Sequence, residues 1–302
     1  MSQDFYTDKA RVRASFDRAA RRYDSAAVLQ REVSDRMAER LEMIKTTPLC
    51  ILDAGSGTGY GAAALRQRYT DARVVELDLA PGMLLASRSK QTESAGFFGR
   101  LLGRVSPWQV CGDLEALPLA DASVDMIWSN LALQWVNEPD TVFAEFRRVL
   151  KPDGLLMFST LGPDTLMELN AAFGGLDAAT HVNRFIDMHD LGDALVRAGF
   201  ALPVMDMEKL VLTYDTARAV MQDLKAIGAH NATAGRKRGL MGKHAWQRVE
   251  AAYETFRRDG KLPATYEVVY GHAWRGQPKK ADRLPDGSQV IQFERSTPPR
   301  AD

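Results

Sequence analysis

The residues with the clearest chemical potential in this 302-residue chain lie in one short stretch, LDAGSGTG, at residues 52–59. Gly55, Gly57 and Gly59 follow an apolar run, and Asp53 stands two residues before the first glycine. A glycine-rich loop brings backbone N–H groups close to a ligand at a helix N-terminus. A carboxylate at Asp53 would repel a pyrophosphate and suits a ligand with positive charge. The stretch therefore predicts a site for S-adenosylmethionine, which carries an ammonium and a sulfonium and no phosphate.

Two phosphate-containing ligands are the alternatives at this loop. A P-loop is excluded because the stretch has no G-K-[ST] triplet and its first cation is Arg66. Gly57, Gly59 and Ala62 match the dinucleotide pattern G-x-G-x-x-A, although such short glycine patterns recur by chance. An NAD oxidoreductase is disfavoured by Asp53 and by the lack of a Tyr/Lys or His proton-donor pair in this region.

Acidic residues also follow the next two predicted strands. Asp78 ends ARVVELD, about 20 residues after the glycines, where an acid binds ribose hydroxyls in both NAD and S-adenosylmethionine sites. Asp113 ends WQVCGD, and we expect it to bind the adenine amino group beside the Leu114 N–H. The alternative for Asp113 is the N-cap of a helix that begins at Leu114. Three acids at three successive strand ends favour one adenosine-binding constellation.

The elements that must position these residues alternate between strand and helix. Residues 1–45 have helical periodicity and predict an N-terminal helical cap, and residues 46–161 alternate β-α-β-α. This alternation predicts an α/β fold, a parallel sheet with helices on both faces. The segments 162–187 and 225–262 are expected to be insertions that form a substrate lid, because ligands bind above the carboxyl ends of the strands. Residues 276–302 are expected to form a mobile tail.

Composition narrows the class of protein. Lys and Arg total 39, as do Asp and Glu, so the net charge is zero and a broad nucleic-acid surface is not expected. Cys50 and Cys111 form no CxxC pair, which predicts no metal site and a reducing compartment. The sequence has neither an apolar run of about 18 residues nor a signal-peptide core. We therefore expect a cytoplasmic protein with no membrane span.

The motifs LDAGSGTG, ELDLAPGML, GDLEALPL and VDMIWSN occur in this order and resemble those of class I S-adenosylmethionine-dependent methyltransferases over residues 45–161. The resemblance implies a Rossmann-like sheet, mostly parallel with an antiparallel last strand, in a single domain of residues 1–275. It also implies that Leu79, Leu114 and Asn130 contact the cofactor.

A narrower resemblance covers nearly the whole chain, from Ser15 to Trp274. The stretches SFDRAARRYDSAAVLQ, WSNLALQWV, HVNRF, LKAIGAHNATAGRKRGL and LPATYEVVYGHAW look like those of the malonyl-[acyl carrier protein] O-methyltransferases of biotin synthesis. This implies methylation of the free carboxylate of malonyl-acyl carrier protein, which starts pimeloyl synthesis. The 95–107 loop is longer than the family pattern. Another small-molecule methyltransferase and a non-catalytic assembly factor remain alternatives, because fold alone does not decide function.

The implied reaction determines which residues to expect around the substrate. A carboxylate is ionised at pH 7, so its methylation needs placement and water exclusion rather than a general base. Arg184 is the predicted carboxylate clamp, with His181 as a second candidate, and the alternative for Arg184 is a surface cap of the next helix. Tyr23 is expected to close over the cofactor or to be a core aromatic. Gln134 is expected to hydrogen-bond the carboxylate or thioester, with Trp135 in the pocket wall.

The implied partner, acyl carrier protein, is a small acidic protein, so its docking face should be basic. The predicted docking residues are Arg236, Lys237, Arg238 and Lys243. A second candidate cluster consists of Arg11, Arg13, Arg18, Arg21 and Arg22. Charge runs are more often simply solvated faces, which is the alternative for both clusters.

Overall fold

A computed structural model of the protein describes residues 6–94, 108–174, 176, 181–229, 231–233 and 242–277. Several expectations lie outside these residues: the docking residues Arg236, Lys237 and Arg238, the 95–107 loop, and the tail beyond residue 277. In the part of the chain that is described, no helix is long and apolar enough to cross a membrane.

Seven strands form one sheet. They are β1 (Cys50–Ala54), β2 (Arg73–Asp78), β3 (Trp108–Cys111), β4 (Val124–Ser129), β5 (Leu150–Leu161), β6 (Phe200–Tyr214) and β7 (Leu262–Arg275). Their order is β3-β2-β1-β4-β5-β7-β6. β1 to β5 pair in parallel, whereas β7 pairs antiparallel with both β5 and β6. The predicted α/β sheet, mostly parallel with an antiparallel last strand, is confirmed.

Helices surround this sheet. They are α1 (Lys9–Ala19), α2 (Tyr23–Ala26), α3 (Val28–Glu42), α4 (Tyr60–Arg68), α5 (Pro81–Ser94), α6 (Pro139–Val149), α7 (Met167–Gly174), α8 (Met188–Arg197), α9 (Ala217–Ala226) and α10 (Lys243–Glu254). Right-handed crossovers through α4, α5 and α6 keep β1 to β5 parallel, as the alternating sequence requires. The carboxyl ends of these strands therefore meet at one edge of the sheet.

The core lies on both faces of the sheet because successive side chains of a strand alternate. In β1, Ile51 belongs to the cluster that α3 and α4 cover, which includes Leu41 and Leu65. Its neighbour Leu52 belongs to the opposite cluster, together with Phe143 from α6. The sheet therefore packs an apolar layer on each of its faces.

The N-terminal segment crosses the carboxyl edge of the sheet. α1 packs against α5, with Ala19 and Met83 in a small third apolar cluster. Ahead of α1, Thr7 forms a β-bridge with Thr233, and the Asp8 N–H donates to the carbonyl of Ala232 at 2.9 Å. The first helix is therefore attached at both of its ends.

The segment after β5 is bonded to β7. The buried Glu168 carboxylate of α7 accepts hydrogen bonds from the backbone N–H and the hydroxyl of Thr265. Before α7, the Asp164 N–H donates to the Glu267 carboxylate at 2.7 Å. The first part of the predicted 162–187 insertion is thus fixed to the sheet by buried polar contacts.

Phe143→Ala is expected to destabilise the fold strongly. The Phe143 ring is fully buried and packs against Phe146, Phe158 and Phe200 at centroid distances of 6.4, 5.6 and 6.5 Å. Loss of the ring leaves a cavity that the surrounding phenylalanines cannot fill. The free energy of unfolding, measured by urea titration, should therefore fall by about 3–5 kcal/mol. Val196→Ala, at a side chain that is 58% exposed, is the control and should change little. Equal losses would contradict the prediction.

Candidate active site

A cavity of about 430 Å³ lies at the carboxyl edge of the parallel strands. Its sheet-side wall comes from the loops that follow β1, β2, β3 and β4, and α1 covers it with Lys9, Arg11, Val12 and Phe16. The predicted site residues in its wall are Tyr23, Gly55, Gly57, Asp78, Leu79, Asp113, Leu114, Asn130 and Gln134. The structure thus brings together side chains that are far apart in the sequence. Asp53, Gly59 and Arg184 do not line this cavity.

Asp53, which we expected to contact the ligand, lies behind the glycine loop and outside the cavity lining. Its side chain faces α4, is only 2% exposed, and accepts a hydrogen bond from the N–H of Ala62 in the first turn of that helix. Burial, reinforced by the charge of Glu76 on the neighbouring strand, raises the pKa of Asp53 to about 8. Asp53 therefore stabilises the first turn of α4. It can affect the cavity through the position of the glycine loop, which lies between them.

Gly59 also has a structural position rather than a cavity-lining one. It precedes α4 with a φ of +83°, and a Cβ there would lie 2.2 Å from the Ser87 Oγ of α5. By contrast Gly57, with a φ of +52°, lines the cavity, and a Cβ there would meet no atom within 4 Å. Of these two glycines, only Gly57 leaves open space for a ligand beside the backbone.

Beneath the loop, Glu76 is fully buried and fully paired. Its carboxylate accepts hydrogen bonds from Arg66 at 2.6 Å, Ser87 at 2.7 Å, Gln91 at 2.6 Å and Gln109 at 2.8 Å. Four donors compensate its removal from water. Glu76 therefore joins α4, α5 and β3 under the site, while Asp78, at the strand end, lines the cavity.

Asp78 connects the end of β2 to the glycine loop. One carboxylate oxygen accepts the N–H of Gly57 and the other accepts the N–H of Ala80, both at 2.8 Å. Burial raises the pKa of Asp78 to about 6, although the two N–H donors lower it. Each carboxylate oxygen can accept a second hydrogen bond, so Asp78 can also bind a pair of hydroxyl donors in the cavity.

Asp113 is bonded on the protein side by a residue of α1. Lys9 Nζ lies 2.5 Å from its Oδ1 and 2.8 Å from the Glu115 carboxylate. The same Asp113 oxygen accepts the N–H of Glu115 at 3.0 Å, as the N-cap alternative requires, but a turn follows rather than a helix. Lys9 was missed by the sequence interpretation, because nothing near it in the sequence points to an acid 104 residues away.

Three aromatic rings cover the cavity from the α1 side. Phe16 contacts Trp135 edge-on, with centroids 5.3 Å apart, and packs against Tyr23 at 6.4 Å. Tyr23 lines the cavity and also packs against the third apolar cluster, so its position is compatible with both alternatives. Burial first and the Asp78 charge second raise the pKa of Tyr23, which keeps its hydroxyl protonated. Phe16 was a further residue that the sequence interpretation did not assign to the site.

The loop after β4 is held by a chain of polar contacts. The Asn130 amide donates to the carbonyl of Gln30 in α3 at 2.9 Å and accepts from the Ser159 hydroxyl at 2.8 Å. Leu131 then adopts a φ of +48°, which is strained for a leucine. The Gln134 amide donates to the Leu131 carbonyl at 2.6 Å, which fixes its orientation in the wall.

A second cavity, of about 640 Å³, adjoins the first. Residues that line both include Gln134, Phe173 and His181, and the His181 ring stacks on Phe173 at 4.3 Å. Arg184 lines only the second cavity. Arg184 is exposed, as its surface alternative expects, and the N-cap of α8 is Asp187, which accepts the His189 N–H at 2.8 Å.

Comparisons with known proteins agree with this geometry. A model of the methyltransferase domain family matches residues 52–158. A protein of Laribacter hongkongensis is 67% identical over 99% of this chain and 100% of its own length, and bears the name malonyl-[acyl-carrier protein] O-methyltransferase. A protein of Methylovorus with the same name is 58% identical over 97% of both chains. The chain belongs to the malonyl-[acyl-carrier protein] O-methyltransferase family.

A solved structure supports the fold independently of these sequences. The YcgJ protein of Bacillus subtilis superposes with a TM-score of 0.56 over 80% of this chain and 98% of its own, at 16% identity. At that identity the similarity concerns the fold alone.

S-adenosylmethionine is the cofactor of this methyltransferase, and the cavity fits it. The acids Asp78 and Asp113 are in the wall, the Gly57 backbone borders open space, and the glycine loop contributes no cation that would favour phosphate. In a malonyl-[acyl-carrier protein] O-methyltransferase this cofactor supplies an electrophilic methyl group. Asp78 would hold the ribose hydroxyls and the glycine loop the amino-acid end.

Asp53→Asn should remove part of the pH dependence of stability. The folded protein holds the Asp53 proton up to a pKa of about 8, whereas the unfolded chain loses it near 3.8. The folded state is therefore favoured at low pH, and this contribution is lost as pH rises from about 4 to about 8. In urea titrations from pH 5 to pH 8, the variant should gain stability relative to the wild type as pH rises, by on the order of 1 kcal/mol per pH unit. A difference independent of pH would contradict the raised pKa.

Lys9→Met should weaken cofactor binding. The substitution removes the ion pairs that hold α1 to Asp113 and Glu115 across the cavity. We expect the Kd for S-adenosylmethionine to rise about three- to tenfold in calorimetric titration, with faster dissociation. Lys261→Met, which breaks an exposed pair with Asp215 at 2.6 Å, is the matched control and should bind the cofactor normally. The same affinity in both variants would show that α1 does not depend on this contact.

Proposed function

We propose that this protein transfers the methyl group of S-adenosylmethionine to the free carboxylate of a malonyl thioester carried by acyl carrier protein. The observation that carries this proposal is the near full-length similarity to relatives bearing that name, 67% identical in the example from Laribacter. Through the same relatives, the reaction is the one that starts pimeloyl synthesis for biotin. The product is the malonyl methyl ester, still attached to its carrier.

The reaction requires little chemistry from side chains. The substrate carboxylate is ionised at neutral pH, so one oxygen forms a bond to the methyl carbon while the carbon–sulfur bond breaks and sulfur keeps the electron pair. No proton moves, so no general base is needed. The chain must instead align the carboxylate with the methyl group and exclude water. The aromatic cover of Phe16, Tyr23 and Trp135 supports the second requirement.

The second cavity is the route for the substrate in this proposal. It adjoins the cofactor cavity through a shared wall that includes Gln134 and His181, and it places Arg184 near the shared wall. A guanidinium is suited to hold a carboxylate through two parallel hydrogen bonds. In this proposal Arg184 is the carboxylate clamp, and Gln134, which lines both cavities, contacts the malonyl group.

The other parts of the chain have corresponding roles. Residues 1–45 cover the cofactor, residues 46–161 bind it, and the segments 162–187 and 225–262 border the substrate within one domain of residues 1–275. The carrier protein contacts the basic stretch Arg236, Lys237, Arg238 and Lys243, for which opposite charge is the support. The reaction takes place in the cytoplasm, where the thiols of Cys50 and Cys111, which form no disulfide, would stay reduced.

Arg184→Ala should impair methyl transfer without impairing cofactor binding. Loss of a charge-assisted clamp is expected to lower kcat/KM for malonyl-acyl carrier protein about 10- to 100-fold, and Arg184→Lys should recover part of it. The assay is transfer from labelled S-adenosylmethionine, with Kd for the cofactor measured in parallel. Arg197→Ala, which removes an exposed arginine paired with Asp140, is the control.

The same assay tests the function itself. Malonyl-acyl carrier protein should be labelled in preference to succinyl-acyl carrier protein and free malonate, because the distance between thioester and carboxylate differs. Normal cofactor binding with no labelled thioester would contradict the proposed function. Full activity of Arg184→Ala would contradict only the clamp.

A further inference from the structure

The exposed cations of α1 and the turn after it form a cluster of like charge. Arg13, Arg18, Arg21 and Arg22 are all exposed, and we call them the α1 arginine face. Within the described residues, Arg13, Arg21 and Arg22 have no side-chain hydrogen bond or ion pair, and Arg18 has only a long contact of 3.4 Å to Ser15. Four uncompensated positive charges therefore lie within ten residues.

In the described part of the chain, nearby acids form no ion pair with this face, and the six cations from Lys9 to Arg22 outnumber Asp8, Asp17 and Asp24. Asp8 caps α1 by accepting the N–H of Arg11, and Asp17 accepts the N–H of Gly82 at 2.7 Å. Asp24 pairs with Lys90 at 2.8 Å. Some exposed cations elsewhere do have acidic partners, as in the pairs Arg197–Asp140 and Lys261–Asp215. A chain with zero net charge thus keeps a local excess of positive charge here.

The position of this face relates it to the active site. The opposite side of the same helix contributes Val12 and Phe16 to the wall of the cofactor cavity. Just ahead of the helix, Tyr6 and Thr7 line the second cavity. An 11-residue helix is about 16 Å long, so the first cavity lies along α1 and the second adjoins the segment at its N-terminal end. A protein seated on the α1 arginine face would have the second cavity beside it.

We propose that the α1 arginine face is a docking surface for the acidic carrier protein that delivers the thioester. The identity of the partner rests on the proposed function, whereas the location rests on charge and on the two cavities. Exposed like charges of this kind steer an oppositely charged partner and speed its association. Thr233 forms a β-bridge with Thr7, two residues before α1. The basic stretch Arg236–Arg238 begins three residues after Thr233 in the sequence.

The test compares two variants that remove the same charge from different places. Arg21→Gln/Arg22→Gln removes two arginines of the face. Lys45→Gln/Arg73→Gln removes two exposed cations that precede β1 and begin β2, at the opposite edge of the sheet. Affinity for malonyl-acyl carrier protein is measured directly by fluorescence anisotropy, and methyl transfer is measured with that substrate and with malonyl-N-acetylcysteamine, which has no carrier protein.

We expect Arg21→Gln/Arg22→Gln to raise Kd and KM for the carrier-protein substrate about three- to tenfold at low salt, with a smaller effect at high salt. Transfer to malonyl-N-acetylcysteamine should be the same as in the wild type, and the control variant should bind the carrier protein normally. Unchanged affinity in Arg21→Gln/Arg22→Gln, or an equal loss in the control, would overturn the docking surface. Normal, arginine-dependent binding without methylation would support it and contradict only the proposed function.

Discussion

The site depends on the hydrogen bond between the Asp78 carboxylate and the N–H of Gly57, at 2.8 Å. It joins the end of β2 to the loop after β1, and the second carboxylate oxygen holds Ala80 at the start of α5. Parallel pairing of the two strands brings these ends together, so the sheet itself provides the contact. The buried Glu76 below it is satisfied by four donors and keeps the same elements together without water. The cofactor wall is therefore rigid before any ligand enters.

The opposite wall of the cavity is formed by α1, which has fewer buried contacts. Polar contacts hold this helix near its ends, and a small apolar cluster holds it along its length. Lys9 pairs with Asp113 and Glu115, Asp17 accepts the Gly82 N–H, and Phe16 lies across Trp135. Each partly exposed ion pair of this kind contributes little to the free energy of folding. A cover that must admit both a cofactor and a carrier-linked thioester has to open, and a helix held by separable contacts can do so at lower cost than one buried in the core.

Sequence patterns were sufficient for the sheet because strand and helix alternate strongly, and Asp78 and Gly57 could be assigned from their places at strand ends. Asp53 and Gly59 do not line the cavity, since a motif defines spacing and not the side of the loop to which a side chain turns. Lys9 could not be assigned to the site from the sequence, because the acid with which it pairs, Asp113, is 104 residues away. Long-range pairs of this kind exist only in the folded chain.

The position of Arg184 follows from the electrostatics of the cofactor wall. Asp78 and Asp113 favour a cationic ligand, and the same carboxylates would repel a second anion brought beside it. A substrate carboxylate therefore needs a cation on the side away from those acids, and Arg184 lines only the second cavity. Burial raises the pKa of Asp78 to about 6. Near neutral pH its negative charge is stabilised by hydrogen bonds from the Gly57 and Ala80 N–H groups. The cations Lys9, Arg11 and Lys225 also line the first cavity, and Lys9 is paired with Asp113, so in the proposed function Arg184 adds a cation on the substrate side.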